Sequence, residues 1–210
     1  MEAPNYQPTI KEKEFEKYHE KLRNELNIAN WHFTICKYLK NIGKDYLREL
    51  NQAPAFFSLT KNAHLLETIM RINRFFDKDR RKRPLTIWEF LDFVQQNLDM
   101  FSSEAFEKRV RDRGRYDEIA MRRRIEITCQ KVVQDRQKLQ RLPIHNLRKW
   151  RNRALAHTQK KDVLQNIDVF KEYPVEPQQI DEIIDTLHDV LNDYSAAYDA
   201  SSRFKGLGGA

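Results

Sequence analysis

The stretch LRKWRNRALAHT, residues 147–158, gathers three arginines, an asparagine and a histidine within a few turns of a helical pattern. Those residue types together suit chemistry at a phosphate. An arginine holds phosphate oxygens through a planar, permanently charged fork. A histidine moves a proton near neutral pH. RNA carries its own nucleophile, the ribose 2′-hydroxyl. A base for that hydroxyl, an acid for the leaving 5′-oxygen and a cation beside the crowded phosphorus would suffice without a metal. The competing reading is an ordinary amphipathic turn, with solvated arginines and a histidine that answers the dipole at a helix C-terminus.

Spacing constrains the first reading. At about 100° per residue, Arg153 and His157, four apart, share a helix face. Arg151 and His157 are six apart, so about 600°, a third of a turn out of line and roughly 9 Å apart along the axis. Either the helix distorts near its end, or the two side chains face a shared groove from opposite walls. Two copies meeting across a dimer axis would make such a groove.

The elements that must position these groups read as helices. Among 210 residues only five are glycine, and three of those fall in the last five positions. Lys, Glu, Arg and Leu are abundant, and long β-branched alternation is absent. Hydrophobic residues at 40% supply a core, and charged residues at 33% wrap it. The expected fold is all-α, a bundle of five to seven helices in a single domain over residues 1–210, with a frayed tail at 203–210.

Residues 8–50 read as one long helix or two in series, with Phe15, Tyr18, Leu22, Leu26, Ala29 and Phe33 on one face and Gly43 as a break point. Pro54 opens an apolar helix that ends in the basic run KDRRKR, residues 78–83. Thr86 and Glu89 form a capping box for a short helix to about Leu98. Ser102 and Ser103 are candidate caps for a helix from Glu104 to Leu139, with Gly114 as its weak point. Pro143 suits the first turn of a helix over residues 144–158, and after Pro174 and Pro177 comes a final amphipathic helix carrying Ile180 to Tyr198.

R-N-x-x-x-x-H late in an all-α chain, followed by one more amphipathic helix, resembles the signature of the HEPN superfamily. The form LRKWRNRALAH and the segment ETIMRINRFFDKDRRKRPLTI, residues 67–87, with its R-x-F-D-K phrase, are similar to the abortive-infection AbiU-like subgroup. That resemblance implies a helical bundle that dimerises through the motif helices. It implies a metal-independent endoribonuclease acting as a toxin or phage-defence effector, partnered by a nucleotidyltransferase-type or other antitoxin. On that pattern His157 is the general acid/base, Arg151 the phosphate clamp and Asn152 the orienting group. The products are a 2′,3′-cyclic phosphate and a 5′-hydroxyl. Arg148, Arg153 and Lys160 stand beside them as candidate RNA-binding residues. The tyrosine that some relatives carry two places after the histidine is Gln159 here, which argues against control by modification at that place. The alternative is a non-catalytic HEPN module that binds RNA or a nucleotide, or a docking subunit of a defence complex.

The net charge of +7 favours a polyanionic partner. The basic residues at 78–83 and 108–124 could track an RNA backbone, or pair within their helix with Asp112, Asp117 and Glu118. Asp181, Asp185, His188 and Asp189 read as the polar side of the last helix rather than a metal site. Trp31, Trp88 and Trp150 read as core before base-stacking platforms, His64 as a hydrogen-bonded interior residue, and Cys36 and Cys129 as small core residues. No phosphate-cradling glycine loop, GxSxG or cysteine nucleophile setting is present. No cofactor and no metal is expected. With no apolar run near 18 residues and no leader pattern, a cytoplasmic protein without membrane attachment is expected.

Overall fold

The computed structural model describes residues 6–42, 46–77, 84–113, 124–155, 162, 164–165 and 167–201. The described residues form α1 (Ile10–Asn41), α2 (Leu47–Leu50), α3 (Pro54–Phe75), α4 (Ile87–Gln96), a 3-10 turn (Leu98–Phe101), α5 (Ser103–Asp112), α6 (Cys129–Gln140), α7 (Ile144–Trp150), a π-helical turn (Arg151–Leu155), α8 (Val169–Glu172) and α9 (Pro177–Asp199). The fold is all-α, with no strand among the described residues. Seven of these α-helices have seven residues or more, and α2 and α8 are single turns.

Side chains that satisfy orphan N–H groups set most of the helix starts. Thr86 Oγ1 accepts from the Glu89 N–H at 3.3 Å, and Ser102 Oγ from the Ala105 N–H at 3.2 Å. Asp168 does the same for α8. Pro54 occupies the first turn of α3, where its missing N–H costs nothing.

Two expected helices are shorter than their charge and apolar patterns suggested. The helix expected over 104–139 ends at Asp112, the backbone at 124–128 is not helical, and α6 starts afresh where Thr128 accepts from the Lys131 N–H at 3.1 Å. A β-branched residue with a capping hydroxyl favours a helix start over a helix interior. The α-helix expected over 144–158 stops at Trp150, and its next five residues take the wider π form. Gly43, Gly114 and the tail 203–210 lie outside the described residues.

The chain groups into two compact units. The first comprises Met1–Arg23, Asp79–Leu142 and Asp185–Ala210. An aromatic cluster fills it. Phe15 meets Phe101 edge-on at 5.3 Å and lies 4.5 Å from Tyr198, and Phe90 meets Tyr194 edge-on at 5.5 Å. Arg109, 1% exposed, is sunk among these rings. Its guanidinium donates to Glu12 Oε1 at 3.0 and 2.7 Å and to the Met100 carbonyl at 3.0 Å, and it lies 3.8 Å from the centre of the Tyr198 ring. A buried cation is tolerable only when so fully partnered. Burial by itself would raise the Glu12 carboxyl. Hydrogen bonds from the Thr9 N–H, Arg109 and Tyr6 instead hold it down to about 2.

This arrangement overturns part of the reading of residues 108–124 as an RNA track. Arg109 is internal, Arg113 bonds Asp199 at 2.8 Å and also pairs with Glu16, and Arg124 donates to the Phe101 carbonyl at 2.7 Å. Their partners come from distant segments rather than from i,i+4 neighbours. Lys108 and Arg111 remain exposed, and Arg115, Asp117, Glu118, Arg122 and Arg123 lie outside the described residues. The expectation of two core cysteines also needs correction. Cys129 is exposed at the capped start of α6, and Cys36 is half-buried.

The second unit comprises Asn24–Lys78 and Pro143–Ile184. Leu26, Ala29, Phe33, Ile69, Ile72, Phe75, Leu147, Val169 and Ile180 are buried in it. α1 and α3 are joined by Thr68 Oγ1 to the Ala29 carbonyl at 3.4 Å, by Arg71 to Glu25 at 2.6 Å, and by the His32 and His64 rings, whose Nδ1 atoms are 2.7 Å apart. His64 is therefore hydrogen-bonded as expected, half-buried rather than interior.

Candidate functional site

Residues 144–155 are held from two sides within the second unit. The C-terminal part of α3 grips α7 through Asn73 Nδ2, which donates to the Leu147 carbonyl at 3.2 Å, and through Arg148, which donates to the Phe76 carbonyl at 3.3 Å. The segment around α8 holds the other side. Asn146 donates to the Pro174 carbonyl at 2.7 Å, and the Trp150 indole N–H to the Tyr173 carbonyl at 2.6 Å. Trp150 is buried, edge-on to Phe170 at 4.9 Å, so it is a structural anchor, as expected. Trp31 is substantially exposed and Trp88 half-buried.

At Arg151 the backbone leaves the α register for the π turn. Such i→i+5 turns are rare and collect at functional sites. A distortion, one of the two arrangements that the spacing of Arg151 and His157 left open, is present at the start of the motif. His157 itself, with Gln159 and Lys160, lies outside the described residues.

The two arginines of the turn differ in what they have left to offer. Arg151 Nε donates to Asn152 Oδ1 at 2.8 Å, and its Nη1 lies 3.4 Å from Asp77 Oδ2. Its Nη2 has no hydrogen bond among the described residues, and Asn152 is exposed. Arg153 is committed. Its Nε and Nη2 clamp both oxygens of Asp162, a carboxylate only 5% exposed, with the Nε contact at 2.9 Å. Its Nη1 donates to the Tyr173 hydroxyl at 2.8 Å, and Glu172 lies 3.6 Å away. The hydrogen bonds that Arg153 donates to Asp162 raise its guanidinium above its ordinary value. Arg148 is half-buried on the Phe76 carbonyl.

The structure therefore gives Arg153 different work from the RNA contact expected of it. A bidentate pair with a buried acid fixes the backbone around the turn. Asp77 and Asp162 are the residues that sequence reasoning missed. Asp77 sits in the R-x-F-D-K phrase at residues 74–78, quoted for its resemblance but given no role. Asp162 carries no local pattern that would mark it. Asp181 bonds Lys37 at 2.7 Å, and Asp189 lies 3.9 Å from Lys138. No group of three or more His, Cys, Asp or Glu side chains among the described residues is placed to hold a metal ion. No described helix is long and apolar enough to cross a membrane.

Comparison of the sequence with protein-family models gives a match to the AbiU2 family of HEPN domains over residues 12–206. Comparison with the curated proteins and with the solved structures gives no match. The match spans nearly the whole chain. It takes in both phrases that meet at the Arg151–Asp77 pair, the R-x-F-D-K end of α3 and the RNRALAH turn. The chain belongs to the abortive-infection AbiU2 family of HEPN domains.

Proposed function

We propose that this HEPN domain is a metal-independent endoribonuclease acting as a phage-defence or toxin effector. The observation that carries the reading is the contrast between the two arginines of the π turn. Arg153 spends its fork on Asp162, while Arg151 keeps one nitrogen uncommitted beside the exposed carboxamide of Asn152. Arg151 is the cation that can meet a phosphate oxygen, oriented by Asn152 and Asp77. His157, four residues beyond Arg153, supplies the proton transfers.

In the reaction, the 2′-oxygen of the ribose attacks phosphorus and gives up its proton. The bond to the 5′-oxygen breaks, and that oxygen takes a proton as it leaves. A 2′,3′-cyclic phosphate and a 5′-hydroxyl result. Arg151 compensates the charge that builds on the non-bridging oxygens, and such preorganised charge is commonly the largest catalytic contribution.

The working form is a homodimer. Phe56, Leu59, Ala63, Leu66 and Met70 follow the 3-4-3-4 spacing of a coiled-coil seam along α3. Phe56, Leu59 and Leu66 are 62%, 69% and 39% exposed. A second copy of α3 laid parallel along this seam brings the Asp77 ends of both copies, and the motifs beside them, to the same end of the pair.

The test uses purified protein and mixed RNA in excess EDTA. Cleavage that leaves cyclic-phosphate ends, lost on His157→Ala and on Arg151→Ala, supports the proposal. Cleavage that requires a divalent ion or survives His157→Ala overturns it. Persistent RNA affinity with no product at several pH values would identify a binding module instead.

A further inference from the structure

A cavity of about 520 Å³ opens in the second unit between the C-terminal part of α1, the N-terminal part of α3, and the start of α9. That volume is in the range of small-molecule sites. Its lining is mixed: Phe33, with the Lys37 amine 4.8 Å over its ring, Leu65 and Trp150 are apolar, while Lys40, Lys61 and Asn62 bring two amines and a carboxamide. A third lysine, Lys37, also lines it but is neutralised by Asp181 at 2.7 Å. Lys40 and Lys61 make no ion pair among the described residues. At two other cavities of the described residues, Arg109 and Arg113 are spent on carboxylates. Two unspent amines beside an apolar wall mark a place for a ligand with an anionic end and a flat apolar body.

We infer that this cavity seats one nucleotide of the RNA strand, its base against the Phe33–Leu65–Trp150 wall and its phosphate between Lys40 and Lys61. The inference rests on the ribonuclease reading for its strand. Bases stack on apolar and aromatic surface with little regard to sequence, and lysines add the salt-sensitive hold on phosphate. Lys61, at the phosphate end of the cavity, is sixteen residues before Asp77 and so roughly 24 Å from it along α3, whereas the Trp150 end of the cavity adjoins Arg151. The seated nucleotide is therefore several positions from the scissile phosphate. Lys40 and Lys61 are positioning residues that touch no reacting atom. Trp150 links the two places, since its ring lines the cavity and the next residue is Arg151.

The experiment measures binding of a fluorescent twelve-nucleotide RNA to His157→Ala protein, with and without Lys40→Ala/Lys61→Ala, across a salt series. Cleavage by otherwise wild-type protein is followed on the same RNA and on a dinucleotide too short to reach the two lysines. The lysine pair should cost at least ten-fold in affinity for the long RNA and make the slope of log K against log salt shallower by about 0.7, one phosphate contact on a single strand. The KM for the long RNA should rise with kcat unchanged, and cleavage of the dinucleotide should not change. Uridine monophosphate should displace the long RNA from the parent protein and not from the lysine variant.

Unchanged affinity and salt slope overturn the inference, as does a monophosphate that binds without displacing RNA. An inactive protein whose RNA binding still needs Lys40 and Lys61 keeps the subsite and removes the nuclease. An active one indifferent to them does the reverse. A Lys40→Arg/Lys61→Arg variant, which keeps the charge, should restore affinity if the loss is one of phosphate contact rather than of folding.

Discussion

Asp77, just beyond α3, lies 3.4 Å from the guanidinium of Arg151 at the first position of the π turn, joining two phrases 74 residues apart in the chain. The pair is partly exposed on both sides, so it orients more than it stabilises. Its value is geometric. A fork held at one nitrogen by Asp77 and at Nε by Asn152 presents its remaining edge in a fixed direction.

Asp77→Asn should therefore lower kcat for RNA cleavage by about ten-fold, because a looser fork compensates less of the developing charge. Removing a negative charge beside the phosphate should leave KM unchanged or slightly lower. Arg151→Ala should cost at least a hundred-fold in kcat. Steady-state kinetics on one short RNA separates the two. A larger loss for Asp77→Asn than for Arg151→Ala would remove the positioning role.

Arg153→Ala should damage the fold before the chemistry. It leaves the buried Asp162 carboxylate without its bidentate partner. The melting temperature should fall by more than about 5 °C, against less than about 2 °C for Arg151→Ala. Replacing both members, Arg153→Met with Asp162→Leu, should recover part of the loss, since a buried carboxylate that has lost its bidentate arginine costs more than an apolar pair. Differential scanning calorimetry reads all three.

The α3 seam makes a separable statement. Leu59→Glu with Leu66→Glu places charge on two exposed positions and disturbs no buried side chain. Sedimentation equilibrium should show a concentration-dependent dimer for the parent and a monomer for the variant, with the helical circular dichroism signal retained. Dimerisation that survives the double change would move the interface elsewhere.

Glu12 gives stability a pH dependence. Its carboxyl is held at about 2 in the folded protein, below its value of 4.5 in an unfolded chain. The stabilisation is therefore present above about pH 4.5 and is lost as pH falls toward 2. Allowing for solvent screening, about 2 kcal/mol is involved. Denaturant unfolding of the parent and Glu12→Gln should differ by that amount at pH 6, by less at each step below about pH 4.5, and converge only near pH 2. A gap that stays constant with pH would show that the Arg109 cluster does not depend on this charge.

Local chemistry was legible wherever one short segment decides an outcome. Thr86, Ser102, Pro54 and Pro177 mark helix starts because a cap or a fixed φ acts within one turn. The stripe from Ile180 to Tyr198 gave α9 because a 3.6-residue period needs no other part of the chain. The all-α class and the RNRALAH motif were fixed in the same way, by residue type and spacing. What those patterns could not contain is which distant group each charge would meet. Arg109, Arg113, Arg151 and Arg153 look alike as letters. Their partners lie at Glu12, Asp199, Asp77 and Asp162, between 9 and 97 residues away in the chain. An arginine becomes a buried strut, a backbone clamp or a fork with one nitrogen uncommitted among the described residues, according to the carboxylate that folding delivers to it. The Coulomb energy that decides between those roles depends on distance and burial, and both exist only once the helices have packed.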